Sequence, residues 1–269
     1  MRNTLILLLL AASSPAAAQS LLEPLATRYQ RLSALASTFV TADAQEANPA
    51  SAASLTNSAF SVAGERRFFL KELSVYRAHA AFPVAAGVAG AGLVYGGHDG
   101  WRELALRGTY ARRLGAHAAI GVSAQWLQAG NSTYGTSGAL LADAGLRWEL
   151  ASGVSAGIRV HNPARVRLGK SGGERLPAAY GLGVTWEHDK QWLLGAELEH
   201  RDGHAPAVLA GAEYVFAPAL RARCGIDSGA PAAWLGLGTV AASMQLNITV
   251  TLHRELGATP VLQLVYPAQ

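Results

Sequence analysis

The stretch MQLNITVTLH, residues 244–253, alternates apolar and polar side chains without a break. Because a β-strand turns successive side chains to opposite faces, this stretch predicts a strand with one apolar and one polar face. A soluble sandwich would bury the apolar face in a core. A membrane barrel would instead turn the apolar face to lipid and the polar face to a lumen. The rest of the chain has to decide between these two folds.

The beginning of the chain, MRNTLILLLLAASSPAAAQS, has the organisation of a secretory signal peptide. Arg2 supplies the positive start, Leu5 to Ala12 form the apolar stretch, and Ala16 to Ala18 match a small-residue cleavage site. The apolar stretch is shorter than the ~20 residues that a spanning helix needs, which argues against a membrane anchor. We therefore predict a signal peptide over residues 1–18 and export of the remaining chain.

Composition narrows the destination of the exported chain. Half of the residues are hydrophobic and only 15% are charged, whereas about 25% is typical. No second apolar run of helix length follows, so the chain needs either a large soluble core or a β-barrel in an outer membrane. The single Cys224 excludes an intramolecular disulfide. The formal charge of +4 comes without a basic block, so nucleic acid is not expected as a partner.

From about residue 54 onward, segments with period-two alternation follow one another, each bounded by Gly, Pro, Asn or Asp. Very short connections alternate with longer ones, as periplasmic turns alternate with outside loops, and this order places both chain ends on the periplasmic side. Residues 19–36 have a helix-like apolar spacing, and residues 19–53 are predicted to be periplasmic or to plug the lumen of a barrel formed by residues 54–269. The predicted strands number about fourteen, an even count that suits a bacterial barrel, and cover 55–65, 73–82, 84–96, 100–113, 116–129, 136–150, 153–162, 176–188, 190–202, 205–216, 218–227, 231–241, 243–255 and 258–267.

Charged residues of both signs share one face in strand after strand. In residues 190–202, for example, Glu197 and Glu199 alternate with Ala196 and Leu198. A lipid-facing Arg at the membrane midplane would cost about 2–4 kcal/mol, so contact with lipid enforces this segregation. The polar faces are therefore predicted to line a lumen. The predicted lining groups are Arg147, Arg159, Glu197, Glu199, Glu213, Arg221 and Arg223.

Several stretches resemble the FadL/PorV-like outer-membrane barrels. Residues 37–55, STFVTADAQEANPASAASL, are similar to the alanine-rich, acidic N-terminal signature of that superfamily, and Asn48, Pro49 and Ala50 match its NPA motif. Residues 176–199, 211–226 and 253–266 resemble the C-terminal half of PorV- and PorQ-like proteins of Bacteroidetes type IX secretion systems. The resemblance implies an all-β fold, a transmembrane antiparallel barrel of about fourteen strands with a short N-terminal helical or plug segment inside.

The same resemblance implies a PorV/PorQ-like role in protein secretion or surface attachment at the bacterial outer membrane. Outer-membrane lipid and secretion-system proteins, or a hydrophobic ligand, would then be the partners. The alternative is a FadL-like or porin-like passive channel for hydrophobic or small solutes. A further alternative is an outer-membrane hydrolase, for which His117 and Ser123 offer a pair. Because neither H-E-x-x-H nor G-x-S-x-G is present, we expect no enzyme activity, no metal and no cofactor.

Overall fold

The computed structural model describes residues 27–131, 133, 135–169, 173–230 and 232–267. The predicted signal peptide and the first part of the helix predicted over residues 19–36 lie outside the described residues. No helix in the described part of the chain is long and apolar enough to cross a membrane.

Fourteen strands of the described chain form one closed barrel, in which each strand pairs antiparallel with its sequence neighbours and β1 pairs with β14. The strands are β1 (Ala59–Arg66), β2 (Ser74–Val84), β3 (Gly87–His98), β4 (Trp101–Leu114), β5 (Ala118–Asn131), β6 (Gly135–Ala151), β7 (Val154–His161), β8 (Ala179–His188), β9 (Trp192–Arg201), β10 (Ala207–Ala217), β11 (Leu220–Asp227), β12 (Ala232–Ala241), β13 (Met244–His253) and β14 (Gly257–Tyr266). The predicted all-β barrel is confirmed. Its first strand begins at Ala59 rather than at residue 55, because Leu55 is buried with the N-terminal segment.

The outer surface of the barrel is apolar and the inner surface is largely polar. In β13 the side chain of Ile248 is 53% exposed, whereas its neighbour Asn247 is only 2% exposed. The apolar face of residues 244–253 therefore points outward, as predicted for a membrane barrel. Every strand carries at least one exposed large hydrophobic residue; one example from each, in strand order, is Val62, Tyr76, Leu93, Leu106, Val122, Leu140, Ile158, Leu182, Leu198, Val208, Ile226, Leu237, Ile248 and Leu262.

The two mouths of the barrel differ in their connections. At the short-turn end, connections of two or three residues join β2 to β3, β4 to β5, β6 to β7, β8 to β9, β10 to β11 and β12 to β13. At the opposite, long-loop end, β1 and β2 are joined by residues 67–73 and β7 and β8 by residues 162–178. The β3–β4 connection, predicted to be one of the longer links, is a tight turn of residues 99–100, because β3 runs to His98, two residues further than its sequence pattern indicated.

Aromatic side chains form a belt around the short-turn end. The rings of Phe60 and Phe82 meet edge to face at 5.4 Å, and those of Trp192 and Tyr214 lie 4.2 Å apart. Phe216 extends this cluster with an edge-to-face contact to Tyr214 at 4.6 Å. Amphipathic rings of this kind stabilise a membrane barrel at the level of the lipid headgroups.

The N-terminal segment lies inside the barrel, and residues 27–55 are called the plug below. It contains α1 (Thr27–Ser33), α2 (Ala44–Ala47) and a 3-10 helix (Pro49–Ser54). Its alanines suit this position, because small side chains let the segment approach the wall closely; Ala34, Ala42 and Ala44 are fully buried. The 3-10 helix begins with Pro49, and the side chain of Asn48 caps it by accepting a 3.0 Å hydrogen bond from the amide of Ala50.

Candidate functional site: the plugged lumen

The plug runs down the lumen and back. Arg28, near its start, forms a 2.7 Å ion pair with Asp227 at the long-loop end of β11. Ser37 and Thr38 reach the opposite mouth, where they contact Glu187. The barrel strands begin and end at the short-turn end, as predicted for the chain ends, but the first described residues of the plug lie towards the other mouth.

The turn of the plug is fastened at the short-turn end by one carboxylate. Glu187 accepts hydrogen bonds from the amide and hydroxyl of Ser37, at 2.7 and 2.6 Å, and from the amide and hydroxyl of Thr38, at 2.8 and 2.6 Å. Four donors on one carboxylate make a strong, charge-assisted contact. Glu187, which the alternation of β8 turns to the lumen face, thus holds the plug.

A cluster of arginines and glutamates fastens the middle of the plug. Arg31 lies 2.7 Å from Glu197 and 3.1 Å from Glu199, and Arg159 lies 2.8 Å from the same Glu197 oxygen. Arg159 also pairs with Glu199, and Arg201 reaches Glu199 at 3.8 Å. Planar guanidinium groups suit such shared contacts, and their near-complete burial makes them depend on one another.

Arg147 ties two distant parts of the plug to the wall. Its Nε donates to the backbone oxygen of Leu35 at 2.8 Å, and its Nη1 donates to the Ser54 hydroxyl at 2.9 Å. Its Nη2 donates to Ser155 on the neighbouring strand at 3.2 Å. One buried side chain therefore positions both the end of α1 and the end of the 3-10 helix.

Glycines in the wall form the seat for the plug. A Cβ atom at Gly121 would lie 2.3 Å from the backbone carbon of Pro49, and one at Gly145 would lie 1.9 Å from Oδ1 of Asn48. Such distances are not possible for real Cβ atoms, so only glycine lets the plug come this close. Gly121 and Gly145 face each other across β5 and β6. All three residues of the motif Asn48-Pro49-Ala50 thus fit against this glycine pair.

Trp234 is an inward-facing residue that the sequence pattern did not reveal. Its side chain is 1% exposed and packs in a cluster with Leu32 of α1 and Leu209. Its ring lies over Gly225, where a Cβ would come within 2.0 Å of the indole, and close to Gly211. At β12 the barrel wall thus presents an apolar side chain to the plug instead of a charged one.

The charges predicted on β10 and β11 lie beside α1. Glu213 and Arg221 form a 3.2 Å ion pair, and the Arg223 guanidinium lies over the ring of Tyr29, 4.1 Å from its centroid. Burial raises the pKa of the Tyr29 hydroxyl well above its usual value, and the Glu213 carboxylate adds to this effect. Tyr29 therefore stays neutral and acts as a packing surface for Arg223.

All of the predicted lining residues point into the lumen, and most of them contact the plug rather than open space. The ion pairs, hydrogen bonds and ring contact described above involve all seven of them, which are Arg147, Arg159, Glu197, Glu199, Glu213, Arg221 and Arg223.

The prediction omitted Arg77 and Arg107, which lie on the inner faces of β2 and β4. Arg77 pairs with Glu46 of α2 at 3.3 Å, and Arg107 pairs with Asp143 at 2.5 Å. Strand alternation in residues 73–82 and 100–113 could have identified both.

A cavity of about 340 Å³ opens above the plug at the long-loop end. We call it the vestibule. Its floor includes Arg31, Glu46 and Ala47 of the plug, and its rim includes residues 204–207 and 228–230. Arg28 of the plug also lines it, and its wall residues include Arg107, Arg159, Glu199 and Arg201.

A second cavity, of about 790 Å³, lies at the short-turn end and is lined by Thr38, Phe39 and Pro218 among others. A gap beside Leu35 and Asn48 lies between plug and wall in the middle of the barrel, and it is too small for a water molecule. In the described residues the plug therefore separates a cavity at one mouth from a cavity at the other.

Residues 162–169 and 173–178 of the β7–β8 loop lie over part of the long-loop mouth. Its apolar side chains Val166, Leu168 and Leu176 pack against an apolar patch of the inner wall that includes Val94 and Leu127. This contact buries the apolar patch and leaves the charged side of the lumen facing the vestibule.

Hydrogen bonds to Asp202 in the β9–β10 loop hold the β7–β8 loop in place. We call this contact the clasp. Arg165 donates from Nη2 to Asp202 at 2.9 Å, and the amide of Ala178 donates to the same carboxylate at 3.2 Å. The hydrogen bonds from Arg165, then from Ala178, hold the pKa of Asp202 below its usual range. Because the folded pKa is depressed, the clasp contributes fully above the ordinary aspartate pKa of about 4 and is lost as the pH falls below it.

Asp202→Asn is expected to loosen the β7–β8 loop. The neutral amide keeps one hydrogen bond but loses the charge that pairs with Arg165. Trypsin cleavage after Arg167 or Arg175 should therefore accelerate about two- to fivefold at neutral pH, which corresponds to the loss of an exposed ion pair. Asp189→Asn, in the β8–β9 turn at the opposite end, is the matched control. An unchanged cleavage rate in Asp202→Asn would show that apolar packing alone holds the loop.

The pair considered for a hydrolase does not come together. Ser123 is buried on the lumen face, where its hydroxyl accepts from Arg107 at 2.8 Å and donates to Asp143 at 3.2 Å. His117 lies in the exposed β4–β5 turn, 3.9 Å from Glu149. An outer-membrane lipase would need a serine on the lipid-facing surface next to its histidine, and this pair provides neither. Among the described residues no group of three or more His, Cys, Asp or Glu could hold a metal ion.

Comparison with known proteins identifies the fold. A FadL homologue of Pseudomonas aeruginosa matches with a TM-score of 0.61 at 10% identity, over 84% of this chain and 94% of that one. The toluene transporter TbuX of Ralstonia pickettii matches with a TM-score of 0.62 at 10% identity, over 86% and 94%. The toluene transporter TodX of P. putida matches with a TM-score of 0.62 at 10% identity, over 82% and 93%.

The chain has a FadL-like barrel fold. This part of the predicted resemblance is supported by the solved structures, whereas the PorV/PorQ type finds no support in them and stays a prediction. No family model matches the chain, and no curated protein sequence matches it either. The similar proteins are described as transporters or as a FadL homologue rather than as enzymes.

Proposed function

We propose that this protein is an outer-membrane channel for small solutes, closed at rest by its own N-terminal plug. The observation that carries the proposal is the pair of cavities at the two mouths of one barrel, separated by the plug. The outward apolar surface and the FadL-like fold support a location in the bacterial outer membrane. TbuX and TodX, which share the fold, are described as toluene transporters, and this supports transport as the activity.

The contacts that hold the plug suit a closure that can rearrange. Glu187, Arg147 and the cluster around Glu197 hold it through ion pairs and hydrogen bonds rather than covalent links. Each of these contacts can be exchanged for water or for another partner when the plug moves. Passage of a solute therefore requires a shift of the plug away from its glycine seat, and the barrel wall can stay intact while this happens.

The proposal is tested by displacing the plug without altering the lipid-facing wall. Gly121→Val places a side chain where the backbone of Pro49 now lies, so the plug cannot occupy its seat. Gly108→Val, on the adjacent strand β4, is the matched control, because an added Cβ there meets open space. The conductance in planar bilayers and the swelling of liposomes should be low for the wild-type protein and for Gly108→Val, and about tenfold or more higher for Gly121→Val.

Heat-dependent migration on gels confirms in each case that the barrel has formed. A folded Gly121→Val protein that neither conducts nor supports swelling would contradict the channel proposal.

The PorV/PorQ-like role in secretion or surface attachment is the second candidate. The observation that favours it is the closed lumen, because a barrel that works through its outer loops has no need of an open path. Co-purification of secretion-system proteins with the wild-type barrel, together with a Gly121→Val variant that does not conduct, would favour this role. Conductance without such partners would favour the channel.

A further inference from the structure

We propose that the vestibule binds small hydrophilic carboxylate anions. This inference rests on the proposed channel function, because it names the solutes that such a channel would admit. Together with Glu197, Asp143 and Arg77, which pair with lining residues from behind, six arginines face five carboxylates, an excess of one positive charge. Five of these arginines and three of these carboxylates line the vestibule itself. The arginines are Arg28, Arg31, Arg107, Arg159 and Arg201, and the carboxylates are Glu46, Glu199 and Asp227.

The positive charges come from several elements that converge on one space. Arg31 belongs to the plug, Arg107 to β4, Arg159 to β7 and Arg201 to the end of β9. Enclosure by a low-dielectric wall strengthens the attraction of such a group for an anion and excludes cations. A surface patch of the same charge would be screened by salt to a greater extent.

Two of the arginines keep donors available for a ligand. Arg31 uses Nε and Nη2 in its contacts with Glu197 and Glu199, and Arg159 uses the same two nitrogens. A guanidinium carries five N–H donors, so the Nη1 group of each is outside these ion pairs. A carboxylate accepts such donors in a planar, charge-assisted arrangement.

Burial and size favour a small hydrophilic anion over a hydrocarbon. An apolar solute would displace water from the arginines and glutamates without replacing their hydrogen bonds, which is costly. The apolar patch that includes Leu127 is covered by the β7–β8 loop, so little apolar surface remains for a hydrocarbon besides Val94, Ala105 and several alanines. The volume of about 340 Å³ is at the lower end of the range for small-molecule sites and suits a short dicarboxylate.

The test is calorimetric titration of the full-length protein in detergent with succinate, with uncharged succinamide as the isosteric control. Saturable binding of succinate and no binding of succinamide are expected. Arg201→Gln should weaken succinate binding about five- to tenfold, the usual effect of losing one charged contact. Arg201→Lys should keep the affinity within about threefold, since the charge remains. Arg254→Gln, in the exposed β13–β14 turn at the same end, should leave it unchanged.

Several outcomes would overturn the inference. Equal binding of succinamide, equal effects of Arg201→Gln and Arg254→Gln, or a stronger affinity for inorganic phosphate than for succinate would each do so. Heat-dependent migration on gels establishes that every variant is folded, and the Arg201→Lys variant shows whether the charge or the packing of residue 201 matters.

The two proposals fail in different ways. If Gly121→Val conducts and the wild-type protein does not bind succinate, the anion site is wrong and the channel stands. If succinate binds but no folded plug variant conducts, the vestibule is an anion site of a barrel that is not a channel. If the channel and the anion site are both correct, the Gly121→Val channel should prefer chloride over potassium in a salt gradient. Adding Arg201→Gln to the Gly121→Val variant should reduce this preference.

Discussion

Arginine in place of Ile248 is expected to prevent stable insertion of the barrel. Ile248 lies in the middle of β13 with 53% of its side chain exposed, and its cross-strand partners Leu237 and Leu262 are exposed beside it. A charge at this depth faces hydrocarbon and should lower the free energy of unfolding by about 2–4 kcal/mol. Urea titration of the folded fraction in liposomes, read from heat-dependent migration on gels, measures the change.

Met244→Arg is the matched control for this prediction. Met244 is the first residue of β13 and is 42% exposed, so it shares the outward face but lies at the short-turn rim. Near the interface the cost of an arginine falls to about 0–1 kcal/mol. Equal losses at residues 244 and 248 would contradict a membrane-embedded outer face. Asn247 does not serve as a control, because it is buried and its side chain donates to Gln263 at 3.0 Å, so a charge there disturbs a hydrogen-bond network.

Glu197→Gln is expected to have the largest effect among changes to the lumen. Glu197 is 4% exposed, and its Oε1 atom lies 2.7 Å from Arg31 and 2.8 Å from Arg159. Removing its charge leaves two buried guanidinium groups to share Glu199, and breaking a buried ion pair from one side costs about 3–5 kcal/mol. We expect a loss of free energy of unfolding of this order, and a higher bilayer conductance because the plug is less firmly held.

Glu149→Gln provides the comparison for Glu197→Gln. Glu149 lies near the short-turn rim, where its side chain is 36% exposed, and surface changes of this kind usually stay within about 0.5 kcal/mol. A double-mutant cycle with Arg31→Gln isolates the contact between plug and wall, with an expected coupling of about 0.5–3 kcal/mol. Additive effects in the cycle would show that Arg31 and Glu197 do not act together.

Much of the barrel can be read from the chain because its main constraint is local. Lipid on one side of a strand forces apolar residues to every second position, and this period of two survives in residues 244–253 and in the other segments. The number of strands and the direction of each face follow from that period. The first strand was placed too early because the alanines and Leu55 of the plug can also be read as the beginning of a strand.

The interior was less predictable, because its contacts join residues far apart in sequence. Arg31 and Glu197 are 166 positions apart, and Arg147 and Leu35 are 112 apart. Alternation could place Glu197 or Arg147 in the lumen but could not say whether it meets water, another strand or the plug. The seat at Gly121 was invisible for a similar reason, since a missing side chain has meaning only when the backbone of Pro49 is seen to occupy its space.

The sequence by itself determined a closed sheet of alternating strands, an apolar outer face and a polar lumen, because lipid imposes its pattern one strand at a time. Only the tertiary structure decided that the plug divides this lumen, that most predicted lining charges hold the plug, and that an arginine-rich vestibule remains above it. Those features depend on which side chains closure of the barrel and the return of the N-terminal segment bring together, and no local pattern encodes that.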